Sequence, residues 1–234
     1  MNPNTDLMDK GNTQESSLAD ADQINSGTAK DLTFMQRKQE CLLEPADIFL
    51  DDHILDIKFS PTANVIGLTQ VTGEVRLYSY ENEKTTEQLY FNYHTDSCRA
   101  LEFSHDGNII YTASKDQSIA AITNGRMAGR IMDAHSAPIY SLLHVQDGNI
   151  IATGDDDGMV RVWDLRVAHR GKKHAVCMEF AEHEGTVMDL KFNAKENMLL
   201  SCASDGMLAV YDTRKSQLYA MSDCFEEDLN AMTI

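Results

Sequence analysis

Three histidines of this chain share one chemical setting. Each is followed 22 residues later by an aspartate, and a Ser or Thr stands four residues before that aspartate. The three sets are His94, Thr112 and Asp116; His135, Thr153 and Asp157; and His183, Ser201 and Asp205. A hydroxyl, an imidazole and a carboxylate can act as nucleophile, general base and orienting residue in hydrolases. The sets are therefore candidates for nucleophilic catalysis.

The recurrence of the sets favours a structural role instead. An active site needs one set, whereas the same spacing is kept here in three successive units that differ in length. The chain also has no Gly-rich phosphate loop, no metal-ligand cluster and no acid–base pair that stands outside the repeats. We therefore predict that the protein is not an enzyme and that no residue is catalytic.

The elements that must position these sets are short β-strands. From about residue 53, short alternating apolar runs are separated by turn residues. Turns such as 104–108 and 146–149 contain Gly and Asn, which tolerate positive φ, so the flanking runs are expected to pair as antiparallel hairpins. Each unit has four such runs in about 40 to 48 residues, which is the period of a β-propeller blade. The sequence thus predicts an all-β propeller.

The predicted domain boundaries follow the repeats. Four blades are expected at about 50–93, 94–134, 135–182 and 183–222, and residues 225–234 are expected to begin a fifth. Residues 1–45 are rich in Asp, Asn, Ser, Gln and Thr and poor in aromatic residues, so they cannot bury enough apolar surface to offset the entropy of ordering. We expect a disordered acidic tail followed by a propeller region over 46–234.

The repeats resemble the WD-repeat family, in which A-H or E-H opens a repeat and W-D or Y-D closes its third strand. In that family the His, the hydroxyl residue, the Asp and the Trp of one blade form a buried hydrogen-bond chain. The resemblance implies a complete chain of His135, Thr153, Asp157 and Trp163 in the third blade. It implies shorter or differently ended chains in the second and fourth blades, which have Ile122 and Tyr211 in the Trp position. The first blade, with Leu50 and Thr72 at the His and Asp positions, lacks the chain.

Two stretches carry a closer resemblance, CRALEFSHDGNIIYTASKDQSIA and APIYSLLHVQDGNIIATGDDDGMVRVWDLR. They resemble the WD repeat protein 55 family, a nucleolar family associated with ribosomal RNA processing. The resemblance implies a scaffold that binds ribosome-assembly factors in the nucleus, chiefly the nucleolus, with some in the cytoplasm. That family is expected to have about seven repeats, so the chain is expected to be an incomplete, truncated propeller; the alternative is that it completes its ring with another chain.

Two Asp-x-Arg segments suggest a different partner. Asp164 with Arg166 and Asp212 with Arg214 end the third strands of consecutive blades. They resemble the paired W-D-x-R boxes of substrate receptors of cullin-RING ubiquitin ligases, where the arginines would contact the ligase adaptor. The alternative is that these residues only brace the corners of their blades. Both interpretations remain open at this point.

Composition limits the classes of partner. Asp and Glu outnumber Lys and Arg by 37 to 20, for a formal charge of −17, so direct nucleic-acid binding is disfavoured. The basic residues gather only in RVAHRGKK, residues 166–173. Five cysteines without a close C-x-x-C pair suit reduced intracellular thiols, and no apolar run approaches the length of a membrane span. We expect protein partners, with no cofactor, metal, small-molecule substrate or membrane.

Overall fold

A computed structural model of the chain describes residues 46–81, 84–145, 148–168 and 176–234. The predicted tail, residues 1–45, lies outside the described residues. So does most of the basic segment 166–173, of which only 166–168 are described. The propeller region forms a separate compact unit, Pro45–Ile234.

This unit is built from four antiparallel four-stranded sheets, each in simple sequential strand order. Blade 1 contains β1 (Ile54–Phe59), β2 (Val65–Gln70), β3 (Val75–Glu81) and β4 (Lys84–Phe91). Blade 2 contains β5 (Cys98–Phe103), β6 (Ile109–Ser114), β7 (Ile119–Thr123) and β8 (Arg126–Ile131). Blade 3 contains β9 (Ile139–Val145), β10 (Ile150–Asp155), β11 (Val160–Asp164) and β12 (Val176–Phe180), with one helical turn, α1 (Leu165–Ala168), after β11. Blade 4 contains β13 (Val187–Asn193), β14 (Met198–Ala203), β15 (Leu208–Asp212) and β16 (Gln217–Met221). The predicted all-β propeller fold is confirmed.

The turn residues act as the sequence predicts. Between β5 and β6, the Asp106 carboxylate accepts hydrogen bonds from Ser104 Oγ (2.6 Å) and from the backbone N–H of Asn108 (3.1 Å). Gly107 has φ +72°, a left-handed conformation that glycine adopts without steric cost. The two strands consequently fold back on each other in antiparallel register.

The core lies between successive blades rather than within one. One apolar cluster joins blades 1 and 2, a second joins blades 2 and 3, and a third joins blades 3 and 4. The third, for example, places Val160 and Phe180 of blade 3 against Leu190, Leu199 and Tyr211 of blade 4. Because burial of apolar area is the main stabilising term, each blade depends on its neighbours.

The connections between strands lie on two opposite faces, because the strands of each blade alternate in direction. One face carries the turns from second to third strand and the loops that enter the next blade. These loops hold His94, His135 and His183, so we call it the histidine face. The other face carries the turns from first to second strand and from third to fourth strand, and we call it the corner face.

Residues 225–234 differ from the prediction in detail. They form no strand. Their path is nevertheless that of a following blade: Met232 N–H donates to Asp189 Oδ2 at 2.9 Å, and Leu101 N–H of blade 2 donates to Asp56 Oδ2 of blade 1 at the same distance. Asp56 and Asp189 hold equivalent places in β1 and β13.

Candidate functional site: histidine chains and arginine corners

The most complete hydrogen-bond chain lies in blade 3. Trp163 Nε1 donates to Thr153 Oγ1 (2.8 Å), Thr153 Oγ1 lies 2.7 Å from His135 Nε2, and His135 Nδ1 lies 2.7 Å from Asp155 Oδ2. Indole N–H is only a donor and a carboxylate is only an acceptor. The threonine hydroxyl therefore donates to Nε2, and the histidine carries its proton on Nδ1. Trp163 is 2% exposed, so the chain is closed to solvent at this end.

The carboxylate that ends this hydrogen-bond chain is not the one that the sequence predicts. Asp157 was predicted to hold His135, but Asp157 is exposed and Asp155, which is 0% exposed, holds it instead. Asp155 stands two residues closer to Thr153, at the end of β10, where its side chain points inward. It also accepts the backbone N–H groups of Asp157 (3.1 Å) and Met159 (2.8 Å). Asp155 thus closes the turn itself, which leaves Asp157 no inward role.

Blade 2 brings together the predicted His94, Thr112 and Asp116. His94 Nε2 lies 2.8 Å from Thr112 Oγ1, and Nδ1 lies 3.2 Å from Asp116 Oδ2 and 3.1 Å from Ser118 Oγ. A residue that the sequence interpretation missed, Arg130 of β8, donates to Asp116 Oδ2 at 2.8 Å. The chain is therefore extended by an arginine from the fourth strand and not by an aromatic residue.

The sequence does contain a signal for Arg130: its cross-strand partner, Ala120, is a small residue that leaves room for the arginine side chain. Ala120 of β7 pairs with Arg130 of β8, whereas the equivalent place in β11 holds Arg161. Arg161 donates to the backbone oxygen of Ala134, in the loop before β9, at 2.6 Å. In blades 2 and 3 an arginine thus braces the histidine loop or its aspartate, from the fourth strand in blade 2 and from the third strand in blade 3.

Blade 4 brings together His183, Ser201 and Asp205. His183 Nε2 lies 2.7 Å from Ser201 Oγ and Nδ1 lies 3.0 Å from Asp205 Oδ2. Ser201 Oγ is hydrogen-bonded to Tyr211 Oη at 3.2 Å. Burial raises the pKa of Tyr211 to about 12, so this phenol stays protonated. Tyrosine consequently ends this chain where tryptophan ends the chain of blade 3.

Blade 1 has no histidine chain, in agreement with the sequence. Gln70, at the place that Asp155 holds in blade 3, is 1% exposed. Its Nε2 lies 3.4 Å from Asp52 O and its Oε1 accepts Arg76 Nε at 3.1 Å. An amide therefore links the entry loop, the turn and the third strand. Thr72 is exposed and takes no part.

Burial and hydrogen bonding determine the charge states in the chains. Burial alone would raise the pKa of Asp116, but hydrogen bonds from His94 and Ser118 hold it well below its ordinary value. Burial also opposes, without overcoming, the backbone hydrogen bonds that lower the pKa of Asp205. Burial lowers the pKa of His135, and its hydrogen bond to the neighbouring carboxylate offsets only part of the effect. Asp116 of blade 2 and Asp205 of blade 4 thus favour the charged form, and His135 of blade 3 favours the neutral form.

This geometry gives the three sets little use as nucleophiles. Thr112, Thr153 and Ser201 are each 0% exposed. Each hydroxyl is engaged by a histidine, and in blades 3 and 4 by an aromatic residue as well. A substrate carbonyl has no path to such an oxygen without opening the blade. What the sets do chemically is satisfy buried polar groups and fasten a loop to a turn.

The two Asp-x-Arg segments form equivalent corners on the corner face. Asp164 Oδ1 accepts the backbone N–H of Arg166 at 3.0 Å, and Asp212 Oδ1 accepts that of Arg214 at 3.0 Å. Asp212 is 3% exposed and Asp164 is 14% exposed, whereas the side chains of Arg166 and Arg214 are 67% and 64% exposed. The aspartates therefore brace the backbone, and the arginines project into solvent.

The arginines differ in how firmly they are held. Arg166 Nε lies 2.8 Å from Asp164 Oδ1 and its Nη2 lies 2.5 Å from Oδ2, in a two-point pair. Arg214 Nε lies 3.6 Å from Asp212 Oδ1, and Lys215 lies equally close to Oδ2. A partner would thus meet one oriented and one less constrained guanidinium group.

Among residues 46–81, 84–145, 148–168 and 176–234, no group of three or more His, Cys, Asp or Glu side chains is placed to hold a metal ion. In the same part of the chain, no helix has the length and apolar character needed to cross a membrane.

Comparison with known families agrees with this geometry. The model of the WD domain, G-beta repeat, matches residues 85–120, 128–164 and 175–212. Each match runs from the fourth strand of one blade to the third strand of the next, and so includes a whole histidine loop. The chain belongs to the WD-repeat family. Propellers of this family generally mediate protein–protein interactions.

Within this family, the chain is similar to WD repeat-containing protein 55 homologues. The chain is 34% identical to the WD repeat-containing protein 55 homolog of Drosophila melanogaster over 192 residues, which are 81% of this chain and 37% of that protein. It is 35% identical to WD repeat-containing protein 55 of Bos taurus over 194 residues, 81% of this chain and 49% of that protein. The chain therefore spans less than half the length of these curated relatives.

Solved structures support the fold. Sqt1 of Saccharomyces cerevisiae superposes with a TM-score of 0.66 at 18% identity, over 75% of this chain and 52% of that one. Sqt1 of Chaetomium thermophilum superposes with a TM-score of 0.63 at 20% identity, over 72% and 46%. At these identities the likeness concerns the propeller architecture alone.

Proposed function

We propose that this chain is a non-catalytic scaffold that holds proteins together during ribosomal RNA processing and ribosome assembly. Its proposed location is the nucleus, chiefly the nucleolus, with a smaller share in the cytoplasm. The observation that carries the proposal is the 34–35% identity to WD repeat-containing protein 55 homologues over 81% of the chain. The family resemblance of the repeats implies the same setting.

The charge of the two faces indicates the chemistry of the partners. Among the described residues, the loops between blades and the turns from second to third strand on the histidine face expose an acidic set that includes Asp96, Asp133, Asp156, Asp157, Glu182 and Glu184, and an exposed lysine, Lys115. The corner face exposes mainly basic side chains: Arg126, Arg166, Lys195, Arg214 and Lys215. A histidine face of this charge repels RNA phosphates and suits basic protein segments. Assembly factors with basic loops are the partners that we propose for it.

The loops on the histidine face are held in place before any partner arrives. Thr95 N–H donates to Asp116 at 2.9 Å, and Glu184 N–H donates to Asp205 at 2.9 Å. Thr186 Oγ1 donates to Asp156 across the gap between blades 3 and 4, at 2.5 Å. Because the histidine chains fix these loops, binding costs little conformational entropy.

The proposal is tested by proximity labelling in nuclei with the tagged chain, followed by mass spectrometry and imaging. We expect nucleolar signal and enrichment of ribosome-assembly factors. Replacing Glu182 and Glu184 by Lys should reduce that enrichment several-fold, because it reverses charge on the histidine face without removing a side-chain hydrogen bond. The matched control replaces Glu81 and Glu196, on the corner face, by Lys. A cytoplasmic chain that labels no assembly factor would contradict the proposal.

A second candidate function is that of a substrate receptor for a cullin-RING ubiquitin ligase. The observation that favours it is the pair of projecting arginines, Arg166 and Arg214, at equivalent corners of neighbouring blades. Replacing both by Ala should abolish co-purification of the ligase adaptor. Arg126→Ala, an exposed arginine of the same face outside an Asp-x-Arg segment, is the control. Equal recovery of the adaptor with all variants, or no recovery with the unmodified chain, would rule this candidate out.

A further inference from the structure

Two of the interfaces between blades are filled near their outer rim by a pair of large side chains, one from the third strand and one from the fourth. In blade 1 the pair is Leu77 and Leu89, and in blade 3 it is Val162 and Met178. Val162 and Met178 pack in the apolar cluster that joins blades 3 and 4. Leu89 reaches the corner of blade 2, where a Cβ atom added to Gly125 would lie 3.1 Å from its Cδ2. Each pair thus closes its interface against the following blade.

Blade 2 has a much smaller pair at the same place. Ala121 of β7 pairs with Gly129 of β8, and Ala121 packs against the cluster that joins blades 2 and 3. Ala121 is only partly buried, whereas Leu77 and Val162 at its place are 5% and 4% exposed. The interface between blades 2 and 3 therefore lacks most of the side-chain volume that the other two interfaces hold at this place.

The missing volume leaves a pocket of about 110 Å³ between blades 2 and 3. Protein interiors pack as densely as organic crystals, so this space stands out against the filled interfaces on either side. An apolar cavity of about 150 Å³ takes up benzene, and 110 Å³ therefore suits one aliphatic side chain of the size of Leu, Ile or Met. The apolar residues that line the pocket include Ile109, Tyr111, Ile119, Ala121, Ile131 and Leu165.

Polar and basic groups lie beside this apolar pocket. Asn149 lines it and is exposed, and its backbone oxygen accepts Leu165 N–H at 2.8 Å, which fixes the wall that blade 3 contributes. The Asn149 amide offers a donor and an acceptor to a peptide backbone. Arg166 follows Leu165 directly, and Arg126 stands two residues before Ala128, another lining residue; both arginines are exposed.

The charge beside the pocket favours an acidic ligand. Asp164 pairs with Arg166, but the Asp164 side chain is 14% exposed and that of Arg166 is 67% exposed. The cation is therefore what a partner meets first at this corner. Arg126 is on the same corner face and outside any Asp-x-Arg segment.

We propose that this pocket binds an acidic peptide segment of a partner protein. One Leu, Ile or Met side chain of the segment enters the pocket, and its Asp or Glu side chains lie toward Arg126 and Arg166. An apolar anchor surrounded by complementary charge is a common arrangement in protein interfaces. The site is separate from the histidine face and does not depend on the scaffold function proposed for that face. The chain would thus hold an acidic partner segment at the rim and a basic one on the histidine face.

The test is fluorescence anisotropy of the purified chain with three short labelled peptides. The first is acidic with a central leucine, the second is the same peptide with alanine at the centre, and the third is basic with a central leucine. At physiological salt, where repulsion by distant charges is screened, we expect the acidic leucine peptide to bind. The alanine peptide should bind roughly 10- to 100-fold more weakly, because it buries no aliphatic side chain. The basic peptide should also bind more weakly, since it meets Arg126 and Arg166.

The deciding variant combines Ala121→Val with Gly129→Met, which recreates the pair of blade 3. It should abolish binding of the acidic leucine peptide while the melting temperature stays the same or rises, because a pocket is filled. Ala194→Val, at an exposed alanine in the corner-face turn of blade 4, is the matched control and should bind normally. Arg126→Glu with Arg166→Glu changes no buried side chain, and it should weaken the acidic peptide and favour the basic one.

Several results would overturn the proposal. One is the absence of binding between the unmodified chain and the acidic leucine peptide. Another is equal affinity for the leucine and alanine peptides, or undiminished binding by the filled variant, because the leucine side chain would then lie elsewhere. An RNA oligonucleotide that displaces the peptide and binds the filled variant equally well would assign this surface to nucleic acid. The filled variant keeps Arg166, so loss of the peptide in this variant does not depend on ligase-adaptor binding.

Discussion

Replacing Asp155 by Ala should destabilise the propeller far more than replacing Asp157, although the two residues are two positions apart in a run of three aspartates. Asp155 is 0% exposed and accepts three hydrogen bonds, from His135 Nδ1 (2.7 Å) and from the backbone N–H groups of Asp157 and Met159. The Asp157 side chain is exposed. The two variants remove the same chemical group from an inward and an outward position.

The magnitude follows from the groups left behind. Alanine at position 155 leaves one buried imidazole N–H and two part-buried turn N–H groups without their acceptor. A fully buried group left unsatisfied costs about 1 to 3 kcal/mol, so we expect a total of about 3 to 5 kcal/mol. For a unit of this size, about 1 kcal/mol shifts the melting temperature by roughly 2 to 4 °C. We therefore expect a loss of roughly 6 to 20 °C for Asp155→Ala. Asp157→Ala should change the free energy of unfolding by less than about 0.5 kcal/mol.

The assay is urea unfolding and thermal melting followed by circular dichroism, with the same probe for the unmodified chain and both variants. We also expect a lower soluble yield for Asp155→Ala than for Asp157→Ala. Equal stability of Asp155→Ala and the unmodified chain would refute the assignment of Asp155. So would a loss for Asp157→Ala as large as that for Asp155→Ala, because it would mean that Asp157 holds the histidine.

Three further predictions concern the same blades. Trp163→Ala should cost about 3 to 5 kcal/mol in urea unfolding, because the buried indole is lost; a cost below about 1 kcal/mol would contradict its burial. Burial lowers the pKa of His135, so on going from pH 7 to pH 5 the unfolded chain takes up this proton before the folded chain does. The free energy of unfolding therefore falls over this range. The lowered pKa of Asp116 makes it fall further below pH 4, because the unfolded chain again binds the proton first. NMR titration of the His135 ring should give a midpoint below 6.5. Gly158→Ala should destabilise more than Gly148→Ala in thermal melts: both have positive φ, but a Cβ at Gly158 would lie 2.2 Å from a backbone oxygen, whereas nothing lies within 4 Å at Gly148.

The fold was predictable because its signals are local. Alternating apolar residues specify strands, and Gly or Asn in the turns specifies hairpins, so blade 2 could be derived from its own residues. The chains of His94 and His183 were accessible for the same reason, since each lies within one repeat unit. Even the tyrosine end of the blade 4 chain followed from the residue type at Tyr211.

Other features depend on three-dimensional position, which spacing does not encode. Asp155 and Asp157 are chemically identical, and only the inward direction of the β10 end decides between them. Arg130 reaches Asp116 from the fourth strand, where the spacing of His, hydroxyl residue and Asp marks no residue. The carboxylates of Asp56 and Asp189 link blades through backbone N–H groups, which have no residue signature.

The way each blade closes its own histidine loop has a consequence for how such a protein can change over generations. Blade 1 fastens the loop with Gln70 and Arg76, blade 2 recruits Arg130, and blades 3 and 4 end their chains with Trp163 and Tyr211. Because no hydrogen-bond chain shares a member with another, the polar partners that a substitution in one chain must satisfy lie within its own blade. The polar locks can therefore diverge one blade at a time, whereas the apolar faces of Trp163 and Tyr211 stay matched to the neighbouring blade.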